Sequence, residues 1–233
     1  MNAKETLESY FMEGIVADLF TAEQTYALLM QIGQNANAIN QANFGALFGP
    51  LQLVLSDACF LSVAKVFEKP SKKYATRSIP SVLELLERSS HELVIEERIA
   101  MMTRLTAAGM NVESLMEMPD SEITSAIVQF YTASLPSTST ELATWCEMSK
   151  SLHAVVTRRN KVVAYNELVD RFTLPQTSWA HIEQLISYAK KFIDVVGIGY
   201  ISEVFTSDDG HYLLSPDAQR AARVLKKLLI KAR

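Results

Sequence analysis

The stretch LQLVLSDACFLSVAKVF, residues 51–67, decides the fold class, because twelve of its seventeen positions are apolar and none is Gly or Pro. Leu51, Leu53, Val54, Leu55, Ala58, Cys59, Phe60, Leu61, Val63, Ala64, Val66 and Phe67 surround the helix axis on nearly every side. A helix apolar almost all round belongs in the middle of a bundle, since no face is left to water. Asp57 is its one internal acid. Gly49-Pro50 precede it, with proline suited to the first turn of a helix.

Working outward, the pattern stays helical. Only 8 Gly and 7 Pro interrupt 233 residues, and both are the strongest local breakers. Residues 5–40 read as one or two helices. After the basic loop 69–77, Ile79-Pro80-Ser81 opens a short helix; further helices are expected over 92–107 and 121–131. The loop 134–140 is rich in capping residues. A long helix follows, with apolar positions at Leu142, Trp145, Cys146, Leu152, Val155, Val156, Val162, Val163 and Val169, a spacing of three and four. Ser178 caps another helix to about 196, which Gly197 and Gly199 loosen. Residues 201–214, with Asp209-Gly210 inside, suit a small hairpin, and Pro216 starts a last helix. The reading is an all-α antiparallel helical bundle forming one domain over residues 1–233, with 205–233 a C-terminal extension.

Net charge is −4, so any polyanion partner must use a local basic patch and not a global field. The composition, 48% hydrophobic and 21% charged, argues against disorder. The N-terminus starts polar, without the charged-then-apolar pattern of a signal peptide, and no run reaches the roughly 18 uninterrupted apolar residues of a membrane span. A cytoplasmic protein with Cys59 and Cys146 as reduced core thiols is expected.

The long helix carries an anomaly. Continuing its apolar stripe puts Arg159 among Val155, Val156, Val162 and Val163. A guanidinium cannot shed its charge, so a site of this kind needs an acid, carbonyls, an anion or water. Two readings stay open: an interhelical ion pair, with Asp57 as candidate acid, or an anion site. On a straight helix Arg159 and Tyr165 stand roughly 120° apart, whereas Arg158 and Tyr165 share a face.

The segment Arg159-Asn160-Lys161-Val162-Val163-Ala164-Tyr165 resembles the Arg-Asn-x-x-x-x-His motif of the HEPN superfamily (higher eukaryotes and prokaryotes nucleotide-binding). Residues 60–68, the basic loop after them, and Ser78-Ile79-Pro80-Ser81-Val82-Leu83 are similar to the central helix, acidic end and next short helix of its abortive-infection, AbiU-like branch. The resemblance implies a homodimer with the motif at a groove between protomers, RNA as ligand and metal-independent ribonuclease chemistry without a cofactor. An antitoxin or nucleotidyltransferase is the implied partner protein. Carried over by position, Arg159 contacts phosphate, Asn160 orients the site, and Tyr165 replaces the histidine of the motif. A phenol with an unperturbed pKa near 10 is a poor base at neutral pH, so cleavage is expected to be weakened or lost. Arg158, Lys161, Lys72, Lys73 and Arg77 are the further candidates for RNA contact.

His91, His153, His181 and His211 show no i, i+3 or i, i+4 pair and no accompanying Cys pair, so a metal site is not expected. No Gly-rich phosphate loop and no Gly-x-Ser-x-Gly elbow occurs.

Overall fold

The computed structural model describes residues 2–71, 73, 75–136, 147–164, 175, 178–207 and 209–231. Its helices are α1 (Ala3–Tyr10), α2 (Val16–Gln34), α3 (Ala36–Gln41), α4 (Gly45–Val66), α5 (Ile79–Arg88), α6 (Arg98–Ala107), α7 (Asp120–Ser134), α8 (Glu147–Arg158), α9 (Trp179–Ile201), α10 (Ser215–Ala218) and α11 (Arg220–Lys231). A π segment, Phe11–Ile15, joins α1 to α2, and another, Arg159–Ala164, continues α8. The fold is an all-α helical bundle, as its sequence pattern predicts. Among the described residues no strand forms, and the expected hairpin reduces to a single antiparallel bridge between Thr206 and Tyr212, with Gly210 at φ +83° turning the chain.

Three long helices make the frame. Helices α2 and α4 lie antiparallel, Asp18 meeting Lys65 at one end and Cys59 Sγ approaching Ala22 O at 3.6 Å further along. Helix α9 runs antiparallel to α2, with Phe11 stacked on Phe192 before α2 and Tyr26 near Glu183 within it. Helix α7 packs antiparallel to α9 through Thr124–Tyr200 and Tyr131–Phe192 contacts. Phe11, Leu19, Cys59, Leu86, Met101, Ile127, Val155 and Phe192 fill the common core.

Local chemistry sets several boundaries. Ser78 caps α5, with proline in its first turn, and Ser178 caps α9 in a reciprocal box with His181. Helix α6 starts at Arg98 and not at 92, because Ile95 N–H donates to Asp120 Oδ2 and Glu96 N–H to Gly199 O, so these donors are spent on tertiary partners. Helix α4 begins at Gly45, before Pro50, which therefore sits inside it. Helix α9 runs through Gly197 and Gly199 without loosening. A Cβ at Gly197 would lie 2.5 Å from Phe205 Cε2, and one at Gly199 2.3 Å from Met101 Sδ. These glycines let neighbours approach the helix closely; they do not break it.

The deciding stretch is buried less evenly than its composition suggests. Cys59, Phe60, Val63, Ala64 and Val66 are core, while Leu51, Leu53 and Val54 are exposed. Helix α4 spans 22 residues and holds an 18-residue window of mean hydropathy 1.6, long and apolar enough to cross a membrane by composition, and 33% of that window is buried. The uninterrupted-run criterion misses it because polar residues punctuate an otherwise apolar helix. The C-terminal helix α11 lies against α2, and Leu229 joins Ile32, Ile39 and Phe48 in a satellite cluster.

Candidate functional site

Arg158 ends α8, and Arg159 opens the π segment into which the helix widens. Such segments are rare and concentrate at functional sites. The distortion replaces the straight-helix register on which the roughly 120° separation from Tyr165 was reckoned. Tyr165 itself lies outside the described residues, as do Lys72 and Cys146.

The adjacent arginines take different partners. Arg159 Nη1 donates to Glu68 Oε1 at 3.2 Å, and its side chain is only 16% exposed. Glu68 lies just past Phe67, the C-cap of α4, and its carbonyl accepts from Ser78 Oγ at 2.6 Å, which ties the acid to the cap of α5. Arg158 places its guanidinium carbon 4.7 Å from the centre of the Phe60 ring, a cation–π arrangement, and Trp179 packs against the same phenylalanine. Asn160 and Lys161 are half-buried in the π segment.

Asp57, the acid expected to pair with Arg159, is not its partner; Glu68 takes that place. Asp57 lies one turn before Phe60 on α4, and its buried Oδ1 has no hydrogen-bond partner among the described residues. The same holds for the Nε atoms of Arg158 and Arg159. Such buried, unsatisfied donors carry a desolvation cost.

The basic loop divides. Arg77 Nη2 lies 2.7 Å from Glu13 Oε2 in an exposed pair, and its backbone packs against Gly14, where a Cβ would come within 2.7 Å of Arg77 O. Lys73 borders a cleft of about 300 Å³ shared with Thr76, Glu84 and Arg88.

The histidines are accounted for locally. His181 completes the α9 cap, His153 Nε2 sits 3.5 Å from Thr157 Oγ1, and His211 is exposed beside Asp209. His91 falls in a turn. No grouping able to hold a metal occurs among the described residues. Burial pushes the Cys59 thiol up to about 11, which makes it an inert core thiol.

With a distorted helix carrying two arginines onto the acidic end of α4, the comparison with known families becomes informative. The family model described as AbiU2, of the HEPN class, matches residues 4–223. The chain belongs to the HEPN AbiU2 family. It is an abortive-infection-type HEPN protein, and the match covers almost every element of the AbiU2 bundle from α1 into α11. No characterised protein sequence and no solved structure matches it.

Glu68 was within reach of sequence reasoning, since it is the acid at the end of α4 and just before Lys69-Pro70. The Arg158–Phe60 contact carries no local signature, because its two members are almost a hundred residues apart.

Proposed function

We propose that this AbiU2 protein binds RNA through Arg159 and Arg158 at a groove completed by a second copy of the chain, acting in the cytoplasm as a defence or toxin-type protein. One observation carries the reading: two neighbouring guanidiniums, both partly accessible, sit at a helix distortion beside the acid that follows α4. Arg presents a planar fork of donors that matches phosphate, so two adjacent, partly accessible arginines suit a backbone phosphate. Asn160, Lys161, Tyr165 at the family motif's histidine position, and Lys72 and Lys73 of the basic loop extend the contact. An exposed stripe at the start of α4 supports the second copy: its N-cap Phe44 with Leu47, Leu51 and Val54 follow helical spacing and are 42%, 64%, 38% and 63% exposed. Cleavage, where present, is weak, because a tyrosine replaces the motif's proton-transferring histidine.

The test is binding of a labelled single-stranded RNA to wild type and Arg159→Ala at several salt concentrations, alongside a growth assay on expression. Loss of affinity and of toxicity in the variant supports the reading. Unchanged binding and unchanged toxicity overturn it.

The Arg159–Glu68 pair favours a second reading, a non-catalytic homodimeric interaction protein in which Arg159 is structural. It predicts that Arg159→Met combined with Glu68→Met is tolerated in every assay, since replacing a whole ion pair by apolar groups is often near neutral.

A further inference from the structure

Helix α11 carries cations alone: Arg220, Arg223, Lys226, Lys227 and Lys231, with no acid in its 12 residues, although the chain as a whole is −4. The first four are exposed, and none of them pairs with an acid among the described residues. Its inner side, with Ala222 and Leu229 buried, rests on α2. Val224 and Leu228, one turn apart, are more than half exposed. They line a cleft of about 440 Å³ together with Gln24 of α2. Arg220 and Lys227 stand one turn before and after Val224 on the same face, so an apolar seat is rimmed by positive charge.

A second face carries the inverse. Val94 and Ile99, 67% and 76% exposed, are the two most exposed large apolar side chains among the described residues. Glu92 and Glu97 beside them are exposed as well. Arg98 donates to the carbonyls of Met116 and Met118, which brings the exposed Glu113 and Glu117 alongside. None of these four glutamates pairs with a cation among the described residues, whereas the neighbouring Glu96 is taken by Lys4. An apolar knob is thus rimmed by negative charge.

The two faces lie too far apart to meet within one chain. Leu229 packs with Ile32 near the C-terminal end of α2. Glu96 N–H donates to Gly199 O near the C-terminal end of α9, which runs antiparallel to α2, at the other end of the frame. Like faces repel: α11 against α11 sets cation on cation, and the acidic face against itself sets acid on acid. Unlike faces match in charge and in their apolar centres, which is the anatomy of a protein interface. RNA would satisfy the cations but leave Val224 and Leu228 in water; the chain's own acidic face answers both.

We propose that α11 of one copy receives the acidic face around residues 92–99 of the next, with Ile99 seated against Val224 and Leu228, and Glu92 and Glu97 opposite Arg220 and Lys227. A contact between two different faces at opposite ends is heterologous and does not close as a pair, so copies add head to tail. It rests neither on Arg159 nor on the α4 stripe.

The test is sedimentation equilibrium of the full-length protein at rising concentration, in about 50 and about 500 mM salt. The average mass should pass that of a dimer at low salt and fall back at high salt, because the rim charges are exposed and screened. Arg220→Glu/Lys227→Glu and Glu92→Lys/Glu97→Lys should each associate roughly tenfold more weakly alone. Mixed together they should associate again, since acid then meets base at every contact; that recovery also shows both variants to be folded. Arg159→Ala should leave the assembly unchanged. A wild-type mass that stops at the dimer, association insensitive to salt, or no recovery on mixing variants with wild-type melting temperatures overturns the proposal. So does binding of RNA or of phosphatidylglycerol vesicles that is lost in Arg220→Glu/Lys227→Glu while the wild type shows no self-association.

Discussion

Arg159 Nη1 reaches Glu68 Oε1 at 3.2 Å, linking the first residue of the π segment after α8 to an acid just beyond α4 whose carbonyl anchors the cap of α5. Three elements therefore meet at one ion pair. The pair is also lopsided in exposure, 16% for the arginine and 37% for the acid. Solvent reaches the acid far more readily than the base, which limits what the contact adds to stability and leaves the arginine sheltered for another partner.

Glu68→Ala is accordingly expected to cost about 1 kcal/mol or less, after allowance for screening at the exposed acid. Urea unfolding of the two proteins measures it. In the RNA-binding reading the same change frees Arg159, so RNA affinity stays level or rises. A fall in affinity comparable to that of Arg159→Ala would show that the acid is needed to position the arginine.

Salt dependence separates a phosphate contact from a packing role. Each phosphate neutralised on a single strand adds about 0.7 to the slope of log K against log salt. Arg159→Ala should flatten the slope by roughly that amount, and Arg158→Ala likewise where it too meets phosphate. A uniform loss of affinity with no change in slope would mark a structural defect. Filter binding between about 50 and 200 mM salt covers the range in which the effect is large.

How much of this was legible in the sequence differs from residue to residue. Caps were readable because their chemistry is local: Ser78 before Ile79-Pro80, and Ser178 before α9. Arg159 was readable as an anomaly because helical spacing fixes its apolar neighbours. Its partner was not. Both Asp57 and Glu68 lie on or beside α4, and the choice between them depends on how far α8 slides along α4, a packing outcome that spacing does not encode. The cluster in which Lys190 pairs with Glu23 at 2.9 Å and lies over the Tyr212 ring was invisible, since its members come from three distant segments and none breaks a local rule. The exposed half of α4 misled for a related reason. Composition records which residues are apolar, and burial depends on which neighbours arrive.

Close approach at glycine gives a test of packing. A Cβ at Gly14 would stand 2.2 Å from Arg77 Cβ and 2.7 Å from Arg77 O, so main chain must shift. At Gly199 the nearest atom is Met101 Sδ at 2.3 Å, on a flexible side chain that can turn aside. Both Gly→Ala changes should destabilise, with Gly14→Ala costing about 1–3 kcal/mol and Gly199→Ala less. Denaturant midpoints at constant m-value decide the order.

Cys59 supplies a prediction in pH. Its thiol is buried against Ala22 O, and burial raises it from the ordinary value of 9.0 to about 11. A folded-state value above the unfolded one means that the folded chain holds the proton longer. The stability this contributes is complete below pH 9 and is lost as pH rises through about 11. Across that window the slope is up to about 1.4 kcal/mol per pH unit, falling with pH. Cys59→Ala removes the titrating group, so the difference in unfolding free energy between variant and wild type should shift by that slope between pH 9 and 11 and stay flat from pH 7 to 8. Peptide-resolved alkylation gives the kinetic counterpart: Cys59 should resist iodoacetamide at pH 8 in the native protein and react quickly in denaturant. Rapid native labelling would show that the thiol is not enclosed between α2 and α4.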